Sequence, residues 1–273
     1  MIKLSDALKN IADLIADTCA DGSEPDWIAC HVLGCGRASL RLRREISDKE
    51  YGEMLGIAKE RATGRPLCQI TGYTEFLGLK IEVNGDVLCP RPETELLAEQ
   101  AILYLKNKTC ARALDLCTGS GCIAIALAKF TNAQITASDV SEKALNTARG
   151  NAANCGAEIN FVLSDAFEKI EGEFDLIISN PPYIPTADIE DLEREVRDFE
   201  PRIALDGGED GLDFYRIIAD KAGDLIKDGG LLLLECGEGQ AKDVADMLRG
   251  FSCSIIKDLQ GIDRIVKAVK TGV

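Results

Sequence analysis

The chain has 273 residues, of which 46% are hydrophobic and 28% charged, and its formal net charge is −15. That balance is ordinary for a globular protein with a sizeable core, and it excludes collagen-like or low-complexity chains. No apolar stretch approaches the ~20 residues needed to span a bilayer.

The acidity is uneven. Residues 1–72 carry ten Lys/Arg and eleven Asp/Glu, a net −1, which leaves −14 on residues 73–273. An acidic body is ill suited to tracking nucleic-acid phosphates and well suited to a basic protein partner. The opening residues, Met1 to Asp6, lack the succession of a signal peptide, so a cytoplasmic protein is expected. In that compartment disulfides are not expected, and most of the eleven scattered cysteines read as small buried hydrophobes. His31 is the one histidine, sits in a predicted helix and reads as a packing residue, so neither a His/Cys metal site nor a histidine base is expected.

Residues 1–67 read as a small helical bundle. Leu4, Leu8, Ile11, Ala12 and Ile15 form one stripe at helical spacing; Pro25 opens a second helix, and Ser47-Asp48 precedes a third. The basic cluster Arg37, Arg41, Arg43 and Arg44 reads as a solvated helix end. Residues 68–89 have strand and turn character, with Gln69 to Tyr73, Leu79 to Val83 and the turn Asn84-Gly85, and predict a β-hairpin linker. Pro92 then starts a helix whose first turn is acidic.

Residues 90–273 alternate strand and helix. Strands are predicted at 113–116, 134–138, 159–163, 174–179 and 230–235, with helices between them, and two closing strands joined by Leu259-Gln260-Gly261 form an antiparallel hairpin. The fold class is α/β, a mostly parallel, Rossmann-like sheet covered on both faces.

Chemistry concentrates at strand ends, where ligands of open α/β sheets bind. After the first strand comes Asp115-Leu116-Cys117-Thr118-Gly119-Ser120-Gly121, whose glycines let backbone approach a ligand at a helix N-terminus. Asp139 ends the second strand, where a carboxylate can accept both hydroxyls of a ribose or, more plainly, cap the next helix. Asp165-Ala166-Phe167 follows the third, as an acceptor for an adenine amine or as a solvated turn. Asn180-Pro181-Pro182-Tyr183 follows the fourth. Two prolines fix φ and remove two donors, leaving carbonyl acceptors beside an aromatic ring, which suits a planar group bearing an NH2. The same tetrapeptide would also serve as a tight turn.

This order of motifs resembles class I S-adenosylmethionine-dependent methyltransferases acting on planar nitrogen. Pro90-Arg91-Pro92-Glu93-Thr94-Glu95, Phe199-Glu200-Pro201-Arg202 with Gly207-Gly208, and Gly211-Leu212-Asp213 resemble more closely the HemK/PrmC family, the peptide chain release factor glutamine methyltransferases. The resemblance covers essentially the whole chain and implies methylation of the side-chain amide nitrogen of the glutamine in a Gly-Gly-Gln motif. It assigns Cys117, Thr118, Gly119, Ser120, Gly121, Asp139, Asp165 and Ala166 to S-adenosylmethionine, with Asn180 touching it as well. It assigns Asn180, Pro181, Pro182 and Tyr183 to the substrate amide, with Asn180, Pro181 and Tyr183 catalytic. Cys117 stands where the family usually has glycine, and Ala166 where a larger apolar residue is common, so adenine packing could fall to Phe167. The expected partner is a release factor, docked by the helical domain, with no nucleic acid and no membrane bound and the chain a monomer. The rivals are a nucleic-acid amino-methyltransferase acting on adenine N6 or guanine N2, which needs a phosphate-binding surface, and a non-catalytic cofactor-binding escort, which would not need the Asn-Pro-Pro-Tyr loop. A nicotinamide oxidoreductase is disfavoured by the incomplete glycine fingerprint, since Ala124 stands at its last position.

Overall fold

The computed structural model describes residues 1–18 and 22–272 and falls into two units, one of residues 1–72 with 193–199 and one of residues 73–192 with 200–273. In the first, β1 (Ile2–Lys3) leads into α1 (Leu4–Ile15), whose Leu4, Ala7, Ile11 and Ile15 are buried at the spacing of one helix face. α2 (Glu24–Leu33) has Pro25 in its first turn and stops at Gly34, at φ 59°. After α3 (Arg37–Leu40), β2 (Glu45–Ile46) pairs with β1, and α4 (Asp48–Arg61) begins with a capping box. In that box the Glu50 amide donates to Ser47 Oγ, while the Ser47 amide donates to Glu50 Oε2 at 2.6 Å. The core is Ile11, Ile15, Ile28, Ile46 and Met54. At its edge the Arg61 guanidinium, 1% exposed, donates to Glu24 and to Glu195, each at 2.7 Å, and to the Thr18 carbonyl.

Two expectations change. Residues 67–71 form the short helix α5 (Leu67–Thr71), between Pro66 and Gly72 at φ 82°, where β-branched content predicts a strand. Proline before and glycine after outweigh the propensity of Ile70 and Thr71 over so short a segment. Cys68 and Cys89 each stand in a disulfide, whereas the remaining described cysteines are free. The expectation of no disulfides rested on compartment, on the scattered spacing and on the absence of a Cys-x-x-Cys pair, none of which bears on two cysteines 21 positions apart in sequence.

The second unit opens with the hairpin β3 (Tyr73–Phe76) and β4 (Leu79–Glu82), whose two turn residues Leu77 and Gly78 both have positive φ, as a tight hairpin turn requires. There follow α6 (Pro92–Leu105), β5 (Arg112–Leu116), α7 (Cys122–Phe130), β6 (Gln134–Asp139), α8 (Glu142–Cys155), β7 (Ile159–Leu163) and β8 (Phe174–Ser179). After α9 (Arg194–Arg197), in the stretch grouped with the first unit, come α10 (Asp213–Leu225), β9 (Ile226–Glu235), α11 (Ala241–Met247), β10 (Phe251–Lys257) and β11 (Asp263–Lys270).

The seven-stranded sheet runs β7-β6-β5-β8-β9-β11-β10. Its first five strands are parallel, and β11 and β10 add antiparallel, the mostly parallel sheet with a closing hairpin that the sequence predicts. β5 and β8 carry near-continuous apolar runs because both sheet faces are covered. On one face Ile177, Leu232, Leu234 and Val266 share a core with Tyr215 and Ile218 of α10 and Val244 of α11. Strand order reverses between β5 and β8: the chain builds outward from β5 through β6 and β7, then returns to the other side. The crevice at their carboxyl ends is the topological switch point, where ligands of such sheets bind.

Candidate active site

The loop after β5 is anchored by a buried acid. Asp115 Oδ2 accepts from Thr118 Oγ1 at 2.6 Å and from the Ala124 amide at 3.1 Å, tying the loop to the first turn of α7, while its Oδ1 has no protein partner. Complete burial pushes the Asp115 carboxyl up to about 7, against the pull of those two hydrogen bonds. Cys117, Gly119 and Gly121 all have positive φ, at 61°, 54° and 82°. Gly121 is demanded by packing as well, since a Cβ there would lie 3.0 Å from Ala148 Cβ. Cys117 holds its left-handed conformation without glycine's freedom, at a strain of about 1 kcal/mol.

Asp139 closes the loop from β6. Its Oδ2 accepts from the Gly119 amide and its Oδ1 from the Ser141 amide, both at 2.9 Å, so each oxygen keeps a lone pair for a ligand. Burial raises its pKa, opposed by those amides.

The fourth strand end delivers Asn180. Ser179 donates from its hydroxyl to the Leu116 carbonyl at 2.7 Å, fastening the end of β8 to that of β5. Asn180 Nδ2 donates to Thr94 Oγ1 at 3.1 Å, and Thr94 Oγ1 donates to Glu235 Oε2 at 2.8 Å. Burial pushes Glu235, the last residue of β9, up to about 7, while the hydrogen bond from Thr94 and the charge of Arg264 pull the other way. Pro181 is buried, and the Tyr183 ring packs against the core beneath the sheet's end. Burial raises the Tyr183 phenol above its usual range, and its carbonyl accepts from Gln240 Nε2 at 2.9 Å. Opposite, a Cβ on Gly207 would meet Tyr183 Cα at 2.8 Å, and one on Gly211 the Tyr183 carbonyl oxygen at 2.3 Å, so the chain passes Tyr183 at backbone distance.

Cys117, Thr118, Gly119, Ser120, Asp139, Asn180 and Pro182 line one open cavity of about 100 Å³. Gly121, Pro181 and Tyr183 flank it without lining it. Asp165 and Ala166 are also outside the lining: Asp165 is exposed, and Ala166 is buried at φ 42° with its carbonyl accepting from Ser164 Oγ. The sequence reading missed the cavity's other wall, which includes Asp86, Val87, Leu88, Thr94, Ile203 and Phe214. The buried Glu200 carboxylate joins that wall together, accepting from Arg91 at 2.8 and 2.9 Å and from the Cys89 amide at 3.2 Å. The signal was present in the blocks 90–95 and 199–208, which resemble the family yet carry no chemistry by residue type alone.

The lining includes two carboxylates, Asp86 and Asp139, and among the described residues no lysine, arginine or histidine. Such a wall favours a cationic ligand and offers no cationic side chain to a pyrophosphate. S-adenosylmethionine fits it: Asp139 has free lone pairs for a ribose, the glycine loop leaves open space at Gly119, and Leu88, Ile123 and Phe214 offer apolar surface to a flat ring.

Residues 6–72 match the PrmC N-terminal domain family and residues 93–194 the methyltransferase small domain family. A release factor glutamine methyltransferase of Geobacter sulfurreducens is 42% identical over 250 residues, covering 89% of this chain and 87% of the relative. One from Thermodesulfovibrio yellowstonii is 40% identical over 269 residues, covering 95% and 96%. The chain belongs to the release factor glutamine methyltransferase family. It is therefore an S-adenosylmethionine-dependent methyltransferase. Solved structures agree on the fold. A methyltransferase from Pyrococcus furiosus superposes with a TM-score of 0.57 at 22% identity, over 72% of this chain and 91% of its own. A 16S rRNA N2 G1207 methyltransferase from T. thermophilus gives 0.52 at 16% identity, over 72% of this chain and 49% of its own.

Proposed function

We propose that this member of the family methylates the side-chain amide nitrogen of the glutamine in the Gly-Gly-Gln motif of a peptide chain release factor. The observation that carries the reading is the meeting, in one cavity without a cation, of the glycine loop and Asp139 with Asn180 and Pro182. S-adenosylmethionine, when bound, supplies an activated methyl group. Cys117 to Gly121 and Asp139 are the residues that hold it, the loop through its backbone and Asp139 at the ribose.

An amide nitrogen is a poor nucleophile because its lone pair is delocalised into the carbonyl. Asn180 Oδ1 and the Pro181 carbonyl accept the two N–H groups of the substrate amide and fix its nitrogen in place, so positioning lowers much of the barrier. As charge develops on that nitrogen its N–H groups become stronger donors, and the two carbonyls stabilise the transition state more than the ground state. Tyr183 supports the amide plane from the side, its phenol kept neutral by burial. The proton released leaves to water.

The test is methyl transfer from radiolabelled S-adenosylmethionine to a purified release factor. The same factor with the Gly-Gly-Gln glutamine replaced, RNA and DNA are assayed beside it. Label on the intact factor alone is expected. Label on the substituted factor would move the target to another residue, and label on nucleic acid would overturn the reading in favour of a base amino-methyltransferase.

A further inference from the structure

Asn180 is held by its nitrogen. Strand register makes this possible: Ser179 of β8 lies opposite Leu234 of β9, so Asn180 and Glu235 leave the sheet side by side. Thr94, in the first turn of α6, completes a triangle. Asn180 Nδ2 donates to Thr94 Oγ1 at 3.1 Å. Thr94 gives its one hydroxyl proton to Glu235 Oε2 at 2.8 Å.

With Glu235 ionised, above about pH 7, the polarity of this triangle has one solution. A carboxamide nitrogen carries two protons and a hydroxyl one. The Thr94 proton is committed to Glu235, so Thr94 can only receive from Asn180. One Nδ2 proton then finds its acceptor in Thr94 Oγ1, and among the described residues no donor meets Oδ1. Turning the amide over would set Oδ1 against the lone pair of Thr94, with that hydrogen bond lost in a part-buried setting.

We infer that Thr94 and Glu235 are positioning residues that lock the Asn180 amide with Oδ1 toward the cavity, so that the site takes a group bearing N–H and refuses a carbonyl or carboxylate. The identity of that group as a glutamine amide rests on the proposed function; the lock itself does not. Neither residue touches the reacting atoms in this scheme. Both act through Asn180, and together they make the site discriminate glutamine from glutamate at one end of the side chain.

Thr94→Val keeps the shape of the side chain and removes the hydroxyl; Thr94→Ser keeps the hydroxyl. The lock requires that Thr94→Val lower kcat about tenfold while KM for the release factor and the dissociation constant for S-adenosylmethionine stay within about twofold. Thr94→Ser should recover most of the loss, and adding Thr94→Val to Asn180→Ala should lower kcat no further. Unchanged kcat in Thr94→Val, or fully additive losses in the double variant, would overturn the inference. A second readout needs no turnover: isotope labelling of asparagine followed by exchange of the Asn180 carboxamide protons. Slow exchange in the unmutated chain, quickened at least about tenfold by Thr94→Val, supports the lock even if no glutamine is methylated, in which case only the functional reading falls. Fast exchange in the unmutated chain overturns the lock whatever the activity.

Discussion

Asp115 keeps a proton that a solvated aspartate would lose. Its carboxyl stands at about 7 because burial disfavours the charge, against an ordinary 3.8. Between about pH 4 and 7 the folded chain therefore holds a proton that the unfolded chain has released, and unfolding stability falls as pH rises through that window. Glu235 adds in the same direction, from 4.5 to about 7. Asp206, held low by the Thr186 hydroxyl, acts with the opposite sign and only below about pH 4, so it does not disturb the window. Asp115→Asn should flatten the fall in stability between pH 5 and 7, measured as denaturant midpoints at three pH values; an unchanged slope would mean that Asp115 is ionised in the fold. Asn180→Ala acts on chemistry instead. Turnover should drop about a hundredfold or more, the scale of losing a preorganised acceptor, while calorimetry shows donor affinity within a few-fold. Turnover that survived would remove Asn180 from the amide clamp.

Two glycines at one end of the sheet separate two kinds of damage. Gly207 lies where a Cβ would strike the backbone at Tyr183 and Gly211, at 2.8 and 2.9 Å, and neither backbone can retreat. Gly207→Ala should cost about 1–3 kcal/mol of stability and displace the loop after β8, so turnover falls while donor affinity holds. Gly119 meets nothing within 4 Å but sits at φ 54° in the cavity wall. Gly119→Ala should cost about 1 kcal/mol in backbone strain and weaken the donor instead, as calorimetry on the two variants would show. If both variants lose the same property, the cavity is not divided between loop and glycine turn as described. These strand ends are legible in the sequence because buried parallel strands are apolar runs and the polar residue that ends each run is conspicuous. α5 was not, since Ile70 and Thr71 favour strands and only Pro66 and Gly72 bracket it as a helix. Nor was the Thr94–Glu235–Asn180 triangle. Thr94 stands 86 positions from Asn180 and 141 from Glu235, so no local pattern joins them. One trace was available: Glu235 ends a run of four leucines as a carboxylate only 2% exposed.

At the scale of the whole chain the asymmetry of charge becomes functional. Residues 73–273 carry −14 of the total −15, and the cavity wall adds acids and no cation. A field of that sign repels phosphate backbones and draws a basic protein surface over distances that salt shortens, the screening length being about 10 Å at 0.1 M. Steering acts on encounter far more than on held contacts. Raising salt from about 50 to 300 mM should therefore lower kcat/KM for the release factor several-fold, with kcat nearly unchanged. Donor affinity should move by less than about twofold, because its contacts are short-range and partly buried. RNA or DNA added as competitor at low salt should leave transfer unaffected, since no counterions are there to be released by cationic contacts. A kcat/KM indifferent to salt would show that recognition rests on short-range contacts and that the acidity serves solubility. Inhibition by RNA would show a phosphate-binding surface despite the net charge, and would reopen the base-methylating reading.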